Sequence, residues 1–146
     1  MFARDGADVD VPLDETGCGL PLVMLGRPTA AADLARRNVG AFARLDQYDA
    51  IVTLCASCAS HLKNGYANLL DREAEAFSAK VTDFSSFTHD VLGVDERAGL
   101  IPAAGKTVYH APCHLCRGLG VHEAPRALLR ADRTSVVEGT GVDPGG

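Results

Sequence analysis

The sequence predicts an α/β fold: a mostly parallel sheet flanked by helices. Three observations lead there. A short apolar, partly β-branched run, Ile51-Val52-Thr53-Leu54, and the segment Lys106-Thr107-Val108-Tyr109-His110 read as strands. Apolar residues at helical spacing stand around them: Ala31, Leu34, Ala35, Phe42 and Leu45 in one stretch, Leu62, Tyr66, Leu69 and Leu70 in another. Strands alternating with helices favour a parallel sheet, whose ligands gather beyond the carboxyl ends of the strands. Each of the two runs leads into a cysteine, Cys55 and Cys113, at that end.

Each element follows from its residues. Val9, Val11 and Leu13 alternate with polar residues, which predicts an opening strand. Asp14 to Pro21 reads as a loop, with glycines on both sides of Cys18 that let the backbone approach something bulky. Gly26-Arg27-Pro28-Thr29 stops one element and opens a helix, with Thr29 as the expected N-cap. Asn38 falls inside that helix's apolar stripe, and a side chain bonded to a neighbouring loop is the expectation there, not a ligand. After the central strand comes Cys55-Ala56-Ser57-Cys58, then a helix. Free N–H groups and the helix dipole favour negative charge at such a junction. A thiolate is therefore stabilised, and it is the form that binds metal or attacks a disulfide.

Asp71 to Lys80 is a surface helix by propensity, and Val81-Thr82-Asp83 a short strand. Ser85 or Ser86 is expected to cap a helix carrying Phe87, Val91 and Leu92 and closed by Gly93. His89 on that helix reads as solvated or packed. Residues 93–105 read as a connection. The strand at 106–110 delivers Ala111-Pro112-Cys113-His114-Leu115-Cys116-Arg117-Gly118. Pro125 suits the first turn of a helix running through Leu129, and Ser135-Val136-Val137 forms a last strand. Glu138 to Gly146 has no power to form regular structure.

Composition narrows the chemistry. The 146 residues are 47% hydrophobic and 23% charged, as in a globular protein. The formal net charge is −5 and no basic stripe is visible, which argues against a nucleic-acid partner. No apolar run approaches the ~20 residues of a membrane span, and Met1 to Gly6 lacks a signal peptide's apolar core. Five cysteines, an odd number, fit reduced thiols in metal or redox chemistry better than a secreted disulfide framework. Spacing alone leaves three options open. They are iron–sulfur ligation, a tetrahedral zinc site of Cys55, Cys58, Cys113 and Cys116 acting in assembly, and a thioredoxin-like dithiol at Cys55 and Cys58. A set of inert buried cysteines is the bland alternative.

Gly17-Cys18-Gly19-Leu20-Pro21 resembles the Cys-Cys-Gly-x-Pro signature of the cysteine-rich (CCG) domain, which occurs in iron–sulfur subunits of lactate and glycolate oxidases and in heterodisulfide reductase. The similarity continues through Leu34-Ala35-Arg36-Arg37-Asn38, Cys55-Ala56-Ser57-Cys58, Asp83-Phe84-Ser85-Ser86-Phe87 and Tyr109-His110-Ala111-Pro112-Cys113-His114. The lactate/glycolate oxidase type is the nearer match.

The resemblance implies one cysteine-rich repeat at residues 1–93, lacking its N-terminal part, a linker at 94–105, and the beginning of a second repeat at 106–146. It implies an iron–sulfur cluster, of 4Fe-4S type, held by Cys18, Cys55 and Cys58, with Cys113 as the opening cysteine of the second repeat. Gly17 stands where the family has the first cysteine of its adjacent pair, so three thiolates remain where a cluster usually takes four, and the cluster could be incomplete or lost. His61 and His114 are substitute ligands by residue type, though packing at a helix start is the stronger expectation for both. Cys116 has no counterpart. The implied role is electron transfer, not catalysis, beside a flavin-containing 2-hydroxy acid dehydrogenase subunit and other iron–sulfur subunits. The implied place is the cytoplasm, peripheral at the inner face of the membrane. A truncated pair of repeats further predicts exposed sheet edges near residues 9–13 or 106–110, with Cys18, Cys55 and Cys58 still clustered.

Overall fold

Residues 7–42, 44–95, 106–131 and 135–138 are described by the computed structural model. Of the expected connection at 93–105 only residues 93–95 fall among them, and the tail beyond Glu138 lies outside. Helices dominate the described residues, with short strands between them. The chain forms two compact units, residues 1–82 and 83–146.

From residue 7 to residue 19 the first unit has no helix or strand. The strand expected at Val9–Leu13 does not form. Val9, Val11 and Leu13 are exposed, Leu13 almost completely, so their alternation has no apolar surface to meet. Helix α1, Leu20–Met24, occupies the end of the expected loop and beyond. Gly19, at φ 85°, turns the chain into it. Helix α2 spans Pro28–Ala41. Proline, whose missing N–H costs nothing at a helix start, takes the first position. The N-cap is therefore Arg27, not the expected Thr29, and it makes no side-chain capping bond.

Strand β1 is Ile51–Thr53. Leu54, expected inside it, is 83% exposed, so the strand stops one residue earlier than the apolar run. Helix α3, Ala56–Ser60, continues through a π turn at His61–Gly65 into α4, Tyr66–Leu70. A 3₁₀ turn at Asp71–Ala74 leads to α5, Glu75–Lys80, and then to β2, Val81–Asp83, which pairs with β1. The core of this unit packs Ala32 and Ala35 of α2 against Ile51, Tyr66, Leu70, Ala74, Phe77 and Val81. Phe77 joins it to Phe42 edge-on, at 5.5 Å between ring centroids, and to Tyr66 by stacking at 5.7 Å. The Lys80 ammonium donates to the carbonyls of Leu45 and Tyr48, tying the end of α5 to the segment before β1.

The second unit begins with α6, Phe84–Ser86, extended by a π turn at Phe87–Val91 and ended near Gly93, whose φ is 67°. Its cap is Asp83, whose carboxylate accepts the N–H groups of Ser85 at 2.9 Å and Ser86 at 3.1 Å. The serines expected as caps are thus the donors. Strand β3, Lys106–Tyr109, pairs in parallel with β4, Ser135–Glu138, with Lys106 opposite Ser135 and Tyr109 opposite Glu138. Between them lie a π turn at His114–Gly118 and α7, Glu123–Ala131, with Pro125 in its first turn as expected. Within β3 Val108 is 67% exposed. The α/β character and the parallel pairing hold, in a chain more helical than the sequence suggests.

Candidate metal centre

Three cysteines meet in the first unit. Cys55 leaves β1 in extended conformation and caps α3, its Sγ accepting the Cys58 N–H at 3.4 Å. Cys58 sits one turn on. Cys18 arrives on the loop before α1, close enough, like Cys55, to perturb the Cys58 thiol. None of the three forms a disulfide; Cys55 is exposed, Cys18 and Cys58 half-buried.

The helix start acts on these thiols in opposite ways. The Cys55 thiol is held below its ordinary value, chiefly by the backbone N–H of Cys58, against the opposing effect of burial, with the backbone of Ser57 adding to the lowering. Cys58 is pushed up to about 12, first by burial and then by its hydrogen bonds to Cys18 and Cys55 and by their charge. Without a cation, then, the thiolate is favoured at Cys55 and disfavoured at Cys58. A bound cation favours the thiolate at both, since coordinated thiols are deprotonated outright.

The loop that carries Cys18 is fastened from α2. Asn38, buried in the apolar stripe, accepts the Thr16 N–H at 2.7 Å and the Thr16 hydroxyl at 3.0 Å. Its amide donates to the Gly17 carbonyl at 3.3 Å and to the Tyr66 hydroxyl at 2.8 Å. This is the loop-bonded role expected of Asn38. Gly19 packs closely on α2, where an added Cβ would lie 3.4 Å from the Ala31 carbonyl oxygen. Around Gly17 there is open space instead.

His61 is packed, as expected. It is 7% exposed, meets the Tyr66 ring edge-on at 5.5 Å, and an added Cβ on Gly65 would lie 2.1 Å from its Nδ1. Burial lowers its pKa, so it stays neutral. In the second unit Cys113 follows β3, exposed, with its Sγ 3.6 Å from His114 Nδ1, and Cys116 is half-buried on the same turn. Tyr66 is a site residue that sequence reasoning misses. It counts as an apolar helix position by spacing, and only its hydroxyl, facing a buried asparagine from another stripe, signals more.

Among the described residues no three His, Cys, Asp or Glu side chains converge closely enough to hold one metal ion. The distinction matters chemically. One zinc ion needs its ligands around a single point, whereas a cluster distributes cysteine thiolates over several irons. The candidates for the second arrangement are Cys18, Cys55 and Cys58, with Cys55 open to solvent.

Residues 1–63 match the cysteine-rich domain family named CCG. The chain is 35% identical over 131 residues to a fumarate reductase (CoM/CoB) subunit of Methanothermobacter marburgensis, covering 90% of this chain and 24% of that one. It is 33% identical over 129 residues to an uncharacterized iron–sulfur protein of Methanocaldococcus jannaschii, covering 86% of this chain and 23% of that one. Against lactate utilization protein A of Geobacillus kaustophilus it is 33% identical over 135 residues, covering 88% of this chain and 54% of that one. The chain thus spans about half the length of the lactate utilization relative and about a quarter of the other two. No solved structure matches it significantly. Among the described residues no helix is long and apolar enough to cross a membrane.

Proposed function

Since the chain is a member of the CCG cysteine-rich domain family, we propose that Cys18, Cys55 and Cys58 hold an iron–sulfur cluster of 4Fe-4S type and that the protein transfers electrons. The observation that carries this reading is the meeting of Cys18 with the Cys55–Cys58 pair, across more than thirty intervening residues, in the one unit that contains the family match. The cluster, when bound, would accept and release one electron at a time.

The chain's own residues prepare the site. The start of α3 supports the Cys55 thiolate through the Cys58 N–H. Asn38 fixes the loop so that Cys18 faces Cys58. Gly17 keeps the approach clear. Three thiolates leave one ligand position to be filled from outside this trio. Cys113 opens a second, homologous segment, within a division into repeats at residues 1–93 and 106–146. The electron donor is a flavin-containing 2-hydroxy acid dehydrogenase subunit, and further iron–sulfur subunits receive the electrons. The name of the lactate utilization relative supports that substrate class.

Anaerobic reconstitution with iron and sulfide tests the reading. A brown protein with iron and acid-labile sulfide, lost in Cys58→Ser, is the expected result. A colourless, iron-free chain after reconstitution would refute cluster binding by this chain alone.

One observation favours a second reading, a dithiol oxidoreductase. Cys55 is exposed and held below its ordinary pKa while Cys58 is raised, the asymmetry of an attacking and a resolving thiol. Disulfide reduction that survives Cys18→Ala and disappears with Cys55→Ser would select it over the cluster.

A further inference from the structure

Cys113 and Cys116 stand on one closed turn of the second unit. The Pro112 carbonyl accepts the N–H groups of both Leu115 and Cys116 at 3.0 Å. Cys113 itself is helical, at φ −58° and ψ −38°. Residues three apart on such a turn are neighbours, with Cβ atoms about 5–6 Å apart. A disulfide takes Cβ atoms about 3.5–4.5 Å apart and Cα atoms about 4.4–6.8 Å apart. A tightening of about 1–2 Å therefore brings the pair to bonding geometry. The Leu115 bond, reaching back three residues, is already of the tighter 3₁₀ kind.

The two thiols differ in access. Cys113 is exposed and Cys116 half-buried, so an outside reagent meets Cys113 first. A base stands beside it: His114 Nδ1 lies 3.6 Å from the Cys113 Sγ. With its ring proton on Nε2, the imidazole accepts at Nδ1. The charge around the turn is one-sided as well. From Lys106 to His122 the sequence has no Asp or Glu, in a chain of net charge −5, while His110, His114, Arg117 and His122 flank the cysteines. His110, His114 and Arg117 are exposed. Reactive cysteines sit in accessible, electropositive surroundings of this kind, and such surroundings draw a reagent that carries carboxylates.

We propose that Cys113 and Cys116 are a reversible dithiol, in which Cys113, with His114 as its base, attacks a small carboxylate-bearing disulfide and Cys116 resolves the product. The Cys113 sulfur bonds to one sulfur of the reagent, and the reagent's S–S bond breaks. The Cys113 proton passes through His114 to the departing thiolate. Cys116 then attacks the Cys113 sulfur, and the second reagent thiol leaves with the Cys116 proton. The chain's two thiols give up two electrons, and the reagent is reduced to two thiols. The pair needs no iron and stands apart from the function proposed above.

The full chain, reduced and free of iron, is treated with oxidised glutathione and mapped by mass spectrometry. Both thiols lie in one tryptic peptide, 107–117, separate from Cys55 and Cys58. A Cys113–Cys116 disulfide in the wild-type chain is expected, with Cys116→Ser trapping glutathione on Cys113. No link in the wild type, or no adduct on Cys113 in the variant, overturns the dithiol. The wild-type map alone decides it if the variant loses its far-UV circular dichroism. Adding His114→Gln to Cys116→Ser should slow the adduct several-fold at neutral pH and not in alkaline solution, where the thiol ionises unaided. An unchanged rate, or slowing at every pH, overturns the base. Cystamine, a cationic disulfide, should react several-fold more slowly at Cys113 than glutathione, each rate taken relative to that with N-acetylcysteine. Equal ratios overturn the preference for carboxylates.

Discussion

Cys55 and Cys113 begin alike and end differently. Both follow a short strand, and both precede a helical turn with a second cysteine three residues on. At Cys55 the residue is extended and its sulfur takes the free N–H of Cys58. At Cys113 the backbone is already helical, at φ −58°, without a side-chain cap, and the sulfur faces the ring of His114 instead. The larger difference lies outside the turn. In the first unit a separate loop, fastened by a buried asparagine, brings Cys18 back to the helix start. In the second unit the described residues offer no such returning loop. A strand end makes a place for a thiol; a pinned loop makes it a site.

The largest expected effect follows from that contrast. Cys58→Ser should abolish iron binding at the first site, because Cys58 is the neighbour shared by the other two thiols, whereas Cys113→Ser should leave that iron content unchanged. Iron analysis of both reconstituted variants checks it, and equal losses would erase the distinction between the two turns.

A smaller effect tests the packing beneath the first site alone. Gly65→Ala places a methyl group against the His61 ring, where the ideal position is 2.1 Å from Nδ1. It should cost about 1–3 kcal/mol by overpacking. Urea unfolding followed by far-UV circular dichroism reads it, and a neutral result would mean that the π turn relaxes freely.

The smallest effect belongs to the second unit. Asp83→Ala removes the cap of α6 and should cost about 1 kcal/mol. Burial raises the Asp83 pKa, but the hydrogen bonds from Ser85 and Ser86 outweigh it, so the net shift is downward from 3.8. A depressed carboxylate stabilises above its unfolded pKa and loses that contribution as pH falls through the folded value. The variant's deficit, measured by urea unfolding at neutral pH, should therefore shrink in strongly acidic solution.

The cysteine turn is legible in the sequence because its signals are local: β-branched residues, then two thiols, then helical spacing. Asn38 is legible as a loop-bonded side chain because a polar residue inside an apolar stripe needs partners. The opening strand fails for the opposite reason. Alternation at Val9, Val11 and Leu13 describes a strand only where a partner covers one face, and none of the described residues does so. Helix α1 is hidden because glycine and proline around Cys18 read as loop, although proline suits a helix's first turn. Thr29 loses the cap to geometry set by Pro28, and the serines of α6 lose theirs to Asp83, whose shorter path to two N–H groups the spacing alone does not reveal.

The π turn at His61–Gly65 has a genetic consequence. It accommodates one residue more than an α-helical turn would. Deleting a single codon there would remove the extra residue and let the helix close regularly, with Tyr66 and Leu70 kept near their present faces. Deleting one from α4, beyond the turn, would instead swing every later side chain of that helix by about 100° around the axis. The same loss of one residue is thus absorbed in the turn and disruptive one turn later.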